Sequence, residues 1–271
     1  MKISSVERDK DQLNSSTLAQ GTKSLNDAGY VVLENLFSAS WTRKIRQALN
    51  EELENKYRGR SDELENANNH GGIEAPLRMP FIDPKIIENP IIFQMLKQAL
   101  GSNFFGHLPY GCNTAFPGSK RQNVHRDSGH IFPEIESPMP PLLIVVNIAL
   151  DDFTANNGAT EIWPGSHRLV DADAEESKTL RIPEHRYTKL KSTKTLMKAG
   201  SVIFRDMRTW HRGMPNSTSK NRSMLTLVYY RHYFIPDSFC LYLQSSALAQ
   251  FSDLAQLTYR LREAKNKDKR P

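Results

Sequence analysis

"AGSVIFRDMRTWHRGMPNSTSKNRSMLTLVYY", residues 199–230, decides how the chain is read. It holds two β-rich runs, "SVIFRD" and "RSMLTLVYY", separated by a histidine and a stretch rich in Gly, Pro, Asn and Ser. Branched and aromatic residues bounded by such punctuation mark short strands. Upstream, "NFFGHLPYG" (103–111), "PLLIVVNIAL" (141–150) and "ATEIW" (159–163) share this texture. Several short strands at this spacing predict a sandwich or jelly roll over about residues 103–234. A hairpin centred on Asn216 and Ser217 would oppose His211 to Arg222, with Cβ atoms about 4.5–5.5 Å apart.

The flanks read differently. Residues 17–29 predict a helix stopped near Gly29, and "YVVLENLF" (30–37) a strand. In "SASWTRKIRQALNEELENKY" (38–57), Trp41, Ile45, Leu49 and Leu53 recur at helical spacing behind Ser38 or Ser40 as N-cap. "PIIFQMLKQALG" (90–101) predicts a shorter helix, and "SALAQFSDLAQLTYRLREA" (246–264) a closing one. The expectation is one domain over 1–264, with a helical N-terminal part (about 15–101), the β-body, and a basic tail at 265–271. The polar, Gly-containing segment 66–81 reads equally as an active-site lid or a surface connection.

Of the 271 residues, 38% are apolar and 24% charged, which excludes a disordered chain. The start has no apolar h-region, and no run approaches the roughly 20 apolar residues that cross a bilayer. No membrane partner and a cytoplasmic location are expected. Cys112 and Cys240 are too few for a disulfide framework or a thiolate cage, so a metal here would use His and carboxylates. The net charge of +6 is scattered, with its densest cluster in the terminal "KNKDKRP". A nucleic-acid partner is therefore not expected.

"QNVHRDSGH" (122–130) supplies the ligands. In an extended segment residues i and i+2 point the same way, so His125 and Asp127 would present an imidazole and a carboxylate to one ion. A His-x-Asp triplet alone is weak, and a third ligand is needed. Among the remaining histidines, His211 stands apart for its position between a strand, a polar turn and an arginine-led strand. Two His and one carboxylate leave one face of a metal open, which suits Fe(II) and oxygen chemistry rather than structural zinc. His130 and Phe132, just past Asp127, stand an even chance of facing that open side.

At these residues the chain resembles the Fe(II)- and 2-oxoglutarate-dependent oxygenases of the phytanoyl-CoA dioxygenase-like group. The family pattern is His-x-Asp, a long insert, a distal His, and an Arg ten or eleven residues later. His125, Asp127, His211 and Arg222 match it in order, and "NNGATEIWPGSH" (156–167) and "HRGMPN" (211–216) resemble characteristic segments. The resemblance runs from about Tyr30 to Tyr230. It implies a mainly β fold with flanking helices, a double-stranded β-helix of the cupin-like jelly-roll type. It implies further that His125, Asp127 and His211 hold Fe(II) and that Arg222 binds the distal carboxylate of 2-oxoglutarate. Thr160 resembles a threonine that contacts this cosubstrate, and Gln122 a glutamine that some members place upstream of the first ligand. The implied reaction consumes O2 and 2-oxoglutarate, releases succinate and CO2, and hydroxylates, desaturates or cyclises a small molecule at a C–H bond. Halogenating relatives replace the carboxylate with a small residue; here Asp127 is kept.

Two other readings remain. A jelly-roll metal-binding module without turnover would share the ligands. An oxygenase directed at nucleic acid or protein is the other; the nucleic-acid relatives carry a second arginine six residues after the first, where this chain has Val228.

Overall fold

The computed structural model describes residues 1–170, 180–234 and 240–264; the basic tail at 265–271 lies outside them. The main sheet runs in the order β1 (Tyr30–Leu33), β8 (Val202–Asp206), β5 (Leu143–Ala149), β10 (Arg222–Tyr230), β4 (Gly111–Ala115) and β2 (His70–Glu74). The short β3 (Phe105–Gly106) pairs with the end of β10. A second sheet holds β7 (Thr193–Lys194), β6 (Thr160–Ile162) and β9 (His211–Gly213). Together they form the double-stranded β-helix. A small parallel pair, β11 (Leu241–Leu243) and β12 (Leu261–Glu263), stands apart.

Two-residue alternation separates core from site on the central strands. On β10, Leu225, Leu227 and Tyr229 are buried in the main core, whereas Met224, Thr226 and Val228 line a cavity on the opposite face. On β5, Ile144, Val146 and Ile148 take the core side, and Val145 and Asn147 the cavity side. The core is completed by Ile45, Leu49 and Leu53 of the helix Ala39–Tyr57 and by Ile92 and Leu96 of the helix Pro90–Leu100. The helix stops and starts follow local chemistry. Ser38 caps the helix Ala39–Tyr57 by accepting from Trp41 N–H, and Asn89 caps the helix Pro90–Leu100 ahead of Pro90. Among the described residues no helix is long and apolar enough to cross a membrane.

Gly29 ends the helix Ser15–Ala28 in a left-handed conformation, φ 80°. Its carbonyl accepts from Asp206 N–H at 2.9 Å and from the Thr209 hydroxyl at 3.0 Å, tying the helix to the turn that leads into β9. A Cβ there would lie 2.4 Å from Thr209 Oγ1 and 2.5 Å from His167 Nδ1. Gly29→Ala should therefore cost about 2–4 kcal/mol, read as a lower denaturation midpoint with unchanged slope.

Three expectations need correction. His211 and Arg222 are not hairpin partners: β9 pairs with β6, whereas Arg222 pairs with Ala115 of β4. The connection between them is held across the sheets by Asn216, whose side-chain amide donates to Ala115 O and Lys220 O. The chain thus passes from one sheet to the other instead of folding back. The closing helix is broken into Ser245–Leu248 and Asp253–Thr258 followed by β12, because Ser252 starts a new cap and Arg260 takes a positive φ of 52°. In segment 66–81, residues His70–Glu74 are the edge strand β2, paired along β4, rather than a free loop.

Candidate active site

His125, on the segment after β4, and His211, at the start of β9, are cross-strand partners. His125 N–H donates to His211 O at 2.9 Å and His211 N–H to His125 O at 2.8 Å. Their ring centroids are 4.3 Å apart. Two residues on, Asp127 N–H donates to Met207 O at 2.8 Å. This turns the carboxylate toward both rings: its Oδ1 lies 3.9 Å from His125 Nε2 and 3.6 Å from His211 Nε2. One ligand atom from each of the three lies within 4.8 Å of the others, and the described residues contain no other such group.

Hydrogen bonding sets the form of each donor. His125 Nδ1 lies 2.9 Å from Asn123 O, and His211 Nδ1 lies 3.0 Å from Thr209 O. A carbonyl can only accept, so these contacts favour a proton on Nδ1 and leave Nε2 for a metal, although at His211 the Arg205 Nη1 donor, 3.2 Å away, competes for the same nitrogen. Burial, reinforced by the Arg205 charge, pushes His211 down to about 3, leaving it neutral at physiological pH. Burial alone would raise Asp127, but Arg205 and the two imidazoles hold it well below the usual carboxylate range. Neutral imidazoles and an ionised carboxylate are the ligating forms.

Arg205 was not anticipated from sequence. It sits on β8, nearly fully buried, with Nη2 donating to Asp127 Oδ2 at 2.6 Å and Nη1 3.2 Å from His211 Nδ1. The guanidinium occupies one carboxylate oxygen and leaves the other facing the histidines. The available signal was a lone arginine within the apolar run "SVIFRD": a cation placed among core residues calls for a buried carboxylate.

Arg222 lies in the same cavity of about 520 Å³, which also has Thr160, Gln122, His70, Asn113 and Asn147 on its walls. It is 3% exposed. Its Nη2 donates to Gly158 O at 2.6 Å, and its guanidinium carbon is 4.5 Å from the centre of the Phe153 ring. Nε and Nη1 have no hydrogen-bond partner. Burial pushes its pKa down to about 10, so it stays charged. A buried cation in the cavity wall with two unpartnered donors suits an anion.

Thr160 belongs to β6, opposite Gly213. Gln122 also reaches the cavity, but its carboxamide oxygen accepts from Gly213 N–H at 2.8 Å, which fixes the end of β9. His70 lines the cavity with Nε2 2.6 Å from Lys120 O. His130 is directed elsewhere, 3.1 Å from Leu169 O, and Phe132 lines a neighbouring cavity. His167 holds the backbone at Asn26 O, 3.0 Å away.

Residues 25–224 match the sequence profile of the family described as phytanoyl-CoA dioxygenase. The dioxygenase trt7 of Aspergillus terreus is 22% identical over 245 residues, covering 88% of this chain and 82% of that protein. Among solved structures, the non-heme alpha-ketoglutarate-dependent carbocyclase SnoK from nogalamycin biosynthesis superposes with a TM-score of 0.57 at 19% identity, over 89% of this chain and 91% of SnoK. The epimerase SnoN, in complex with Fe3+, alpha-ketoglutarate and nogalamycin RO, gives 0.57 at 17% identity, over 80% and 84%. At these identities the superpositions speak for the fold.

Proposed function

The chain belongs to the phytanoyl-CoA dioxygenase family, and from that premise we propose a mononuclear non-haem Fe(II)- and 2-oxoglutarate-dependent oxygenase that oxidises a C–H bond of a small molecule. The observation that carries it is the pairing of two features in one cavity: a two-histidine, one-carboxylate donor set and a buried arginine with idle donors.

The residues fit the groups. His125, Asp127 and His211 offer two neutral nitrogens and an anionic oxygen, a set suited to Fe(II) with open positions. Arg222 matches the distal carboxylate of 2-oxoglutarate in charge and has Nε and Nη1 still unpartnered to donate to it. Thr160 adds a hydroxyl on the same wall, and Gln122 keeps Gly213 and hence β9 in place. Bound iron supplies O2-dependent oxidation coupled to conversion of 2-oxoglutarate to succinate and CO2. The protein holds the donors, neutralises the cosubstrate's charge at Arg222, and places Val145, Met207, Met224 and Val228 along the remaining wall. With Asp127 present, hydroxylation, desaturation or ring closure is the outcome favoured. The relatives' names include a carbocyclase and an epimerase that was solved with a nogalamycin-related compound, in keeping with a small-molecule substrate.

Anaerobic addition of Fe(II) and 2-oxoglutarate, without substrate, should produce the weak visible metal-to-ligand band of the chelate. Intact, iron-loaded protein without that band would overturn the reading, as would activity restored by Zn(II) and not Fe(II) after chelation.

Arg205 has a checkable share in this. Arg205→Met removes the group that leaves Asp127 a single free oxygen, and Fe(II) affinity should fall about 10–100-fold in anaerobic titration. Arg205→Lys keeps the charge without the fork and should recover part of the loss.

A further inference from the structure

Beside the metal cavity lies a second one of about 270 Å³, walled by Ile131, Phe132, Met139, Leu143, Tyr233 and Phe234. The two are continuous along the chain. Leu143 stands one two-residue step from Val145 on the cavity face of β5, and Val145 lines the metal cavity. Met207, also on the metal cavity, donates its N–H to Leu143 O at 3.3 Å and accepts from both Asp127 and Ser128; Asp127 lines the metal cavity and Ser128 the second one, so the ligand segment borders both spaces.

This apolar surface is open. Ile131, Phe132, Met139 and Tyr233 are 43%, 45%, 44% and 65% exposed. Clustered exposed hydrophobic side chains mark a binding site. The charges that border it are already matched: Arg208 pairs with Asp206 at 2.7 Å and donates to Met139 O at 2.8 Å. Among the described residues of this lining, none asks its occupant for a charge. The volume takes about nine water-sized groups, close to two fused six-membered carbon rings.

We propose that this second cavity binds the neutral, apolar body of the substrate, a ring system or a chain of comparable bulk, beside Asp127. The proposal rests on the metal-site reading for its catalytic meaning, while the binding itself does not require metal.

The test uses 1-fluoronaphthalene as probe, followed by fluorine NMR. The full-length protein should bind one equivalent, and the double variant Phe132→Ser/Met139→Ser should bind it about tenfold or more weakly. Both side chains are nearly half exposed, so the fold should survive; Tyr233→Ser, more exposed still, is read in the same way. Mn(II) added in place of iron should broaden the bound probe's signal, and His211→Ala should remove that broadening without removing the probe. Equal affinity in both variants, or binding that Mn(II) does not touch in protein shown by titration to hold Mn(II), would overturn the proposal. So would absence of binding, including the case in which sedimentation shows a dimer that the double variant dissociates, since a second copy would then cover the surface. Failure of Mn(II) to bind at all would instead count against the metal site, and the affinity comparison would still decide the cavity.

Discussion

Protein carrying His211→Ala, loaded anaerobically with Fe(II) and 2-oxoglutarate, is expected to show no visible chelate band, and its 2-oxoglutarate consumption should fall by about 10³-fold or more. The size follows from what His211 does. It supplies one of only three donors, it is held neutral by burial, and its Nδ1 is fixed on Thr209 O. Removing it leaves His125 and Asp127, two donors where the site offers three. The Asp127–Arg205 pair and the backbone bridge between positions 125 and 211 do not involve the His211 side chain, so circular dichroism should stay that of the parent. A variant that keeps the band would overturn the ligand assignment.

Arg222→Met should separate cosubstrate binding from folding. Truncating one partner of a buried, hydrogen-bonded charge pair costs about 2–5 kcal/mol, so the dissociation constant for 2-oxoglutarate should rise about 30-fold or more, and about 100-fold for a cost near 3 kcal/mol. The loss should also be visible as stability. At 2-oxoglutarate equal to about 100 times its dissociation constant, the iron-loaded parent gains about 2.7 kcal/mol, whereas a 100-fold weaker variant gains about 0.4 kcal/mol. Without ligand, the variant should be about as stable as the parent, because the substitution also removes a buried cation with two unpartnered nitrogens. Methionine keeps an apolar contact for the Phe153 ring. An unchanged ligand-induced shift in melting temperature would show that the carboxylate is bound elsewhere.

These two residues also show what the sequence could disclose. The β-rich runs that form β5, β8 and β10, the cap at Ser38 and the stop at Gly29 are local signals, and each recurs in the fold. The triplet His125-Arg126-Asp127 and the distant His211 do converge. What failed was the arithmetic that set His211 opposite Arg222, since counting from a turn assumes that both runs belong to one sheet. In a jelly roll successive runs change sheets, and the register is set by contacts such as Asn216 with Ala115, about a hundred residues away in the chain. Arg205 was hidden for a related reason: its partner is Asp127, on another segment, and nothing in "SVIFRD" indicates which carboxylate it meets. In the closing segment, Tyr259 ends the second short helix and reaches the Tyr229 hydroxyl at 2.9 Å, a contact thirty residues away that its sequence neighbours do not indicate.

The carbonyl of Gly29 joins the end of the first long helix to Asp206 and Thr209, five and two residues short of His211. A random library scored for lost turnover would accordingly return lesions at the end of that helix beside lesions in the ligands. Residue 29 would be counted among the active-site positions by phenotype, although no atom of it lines the cavity.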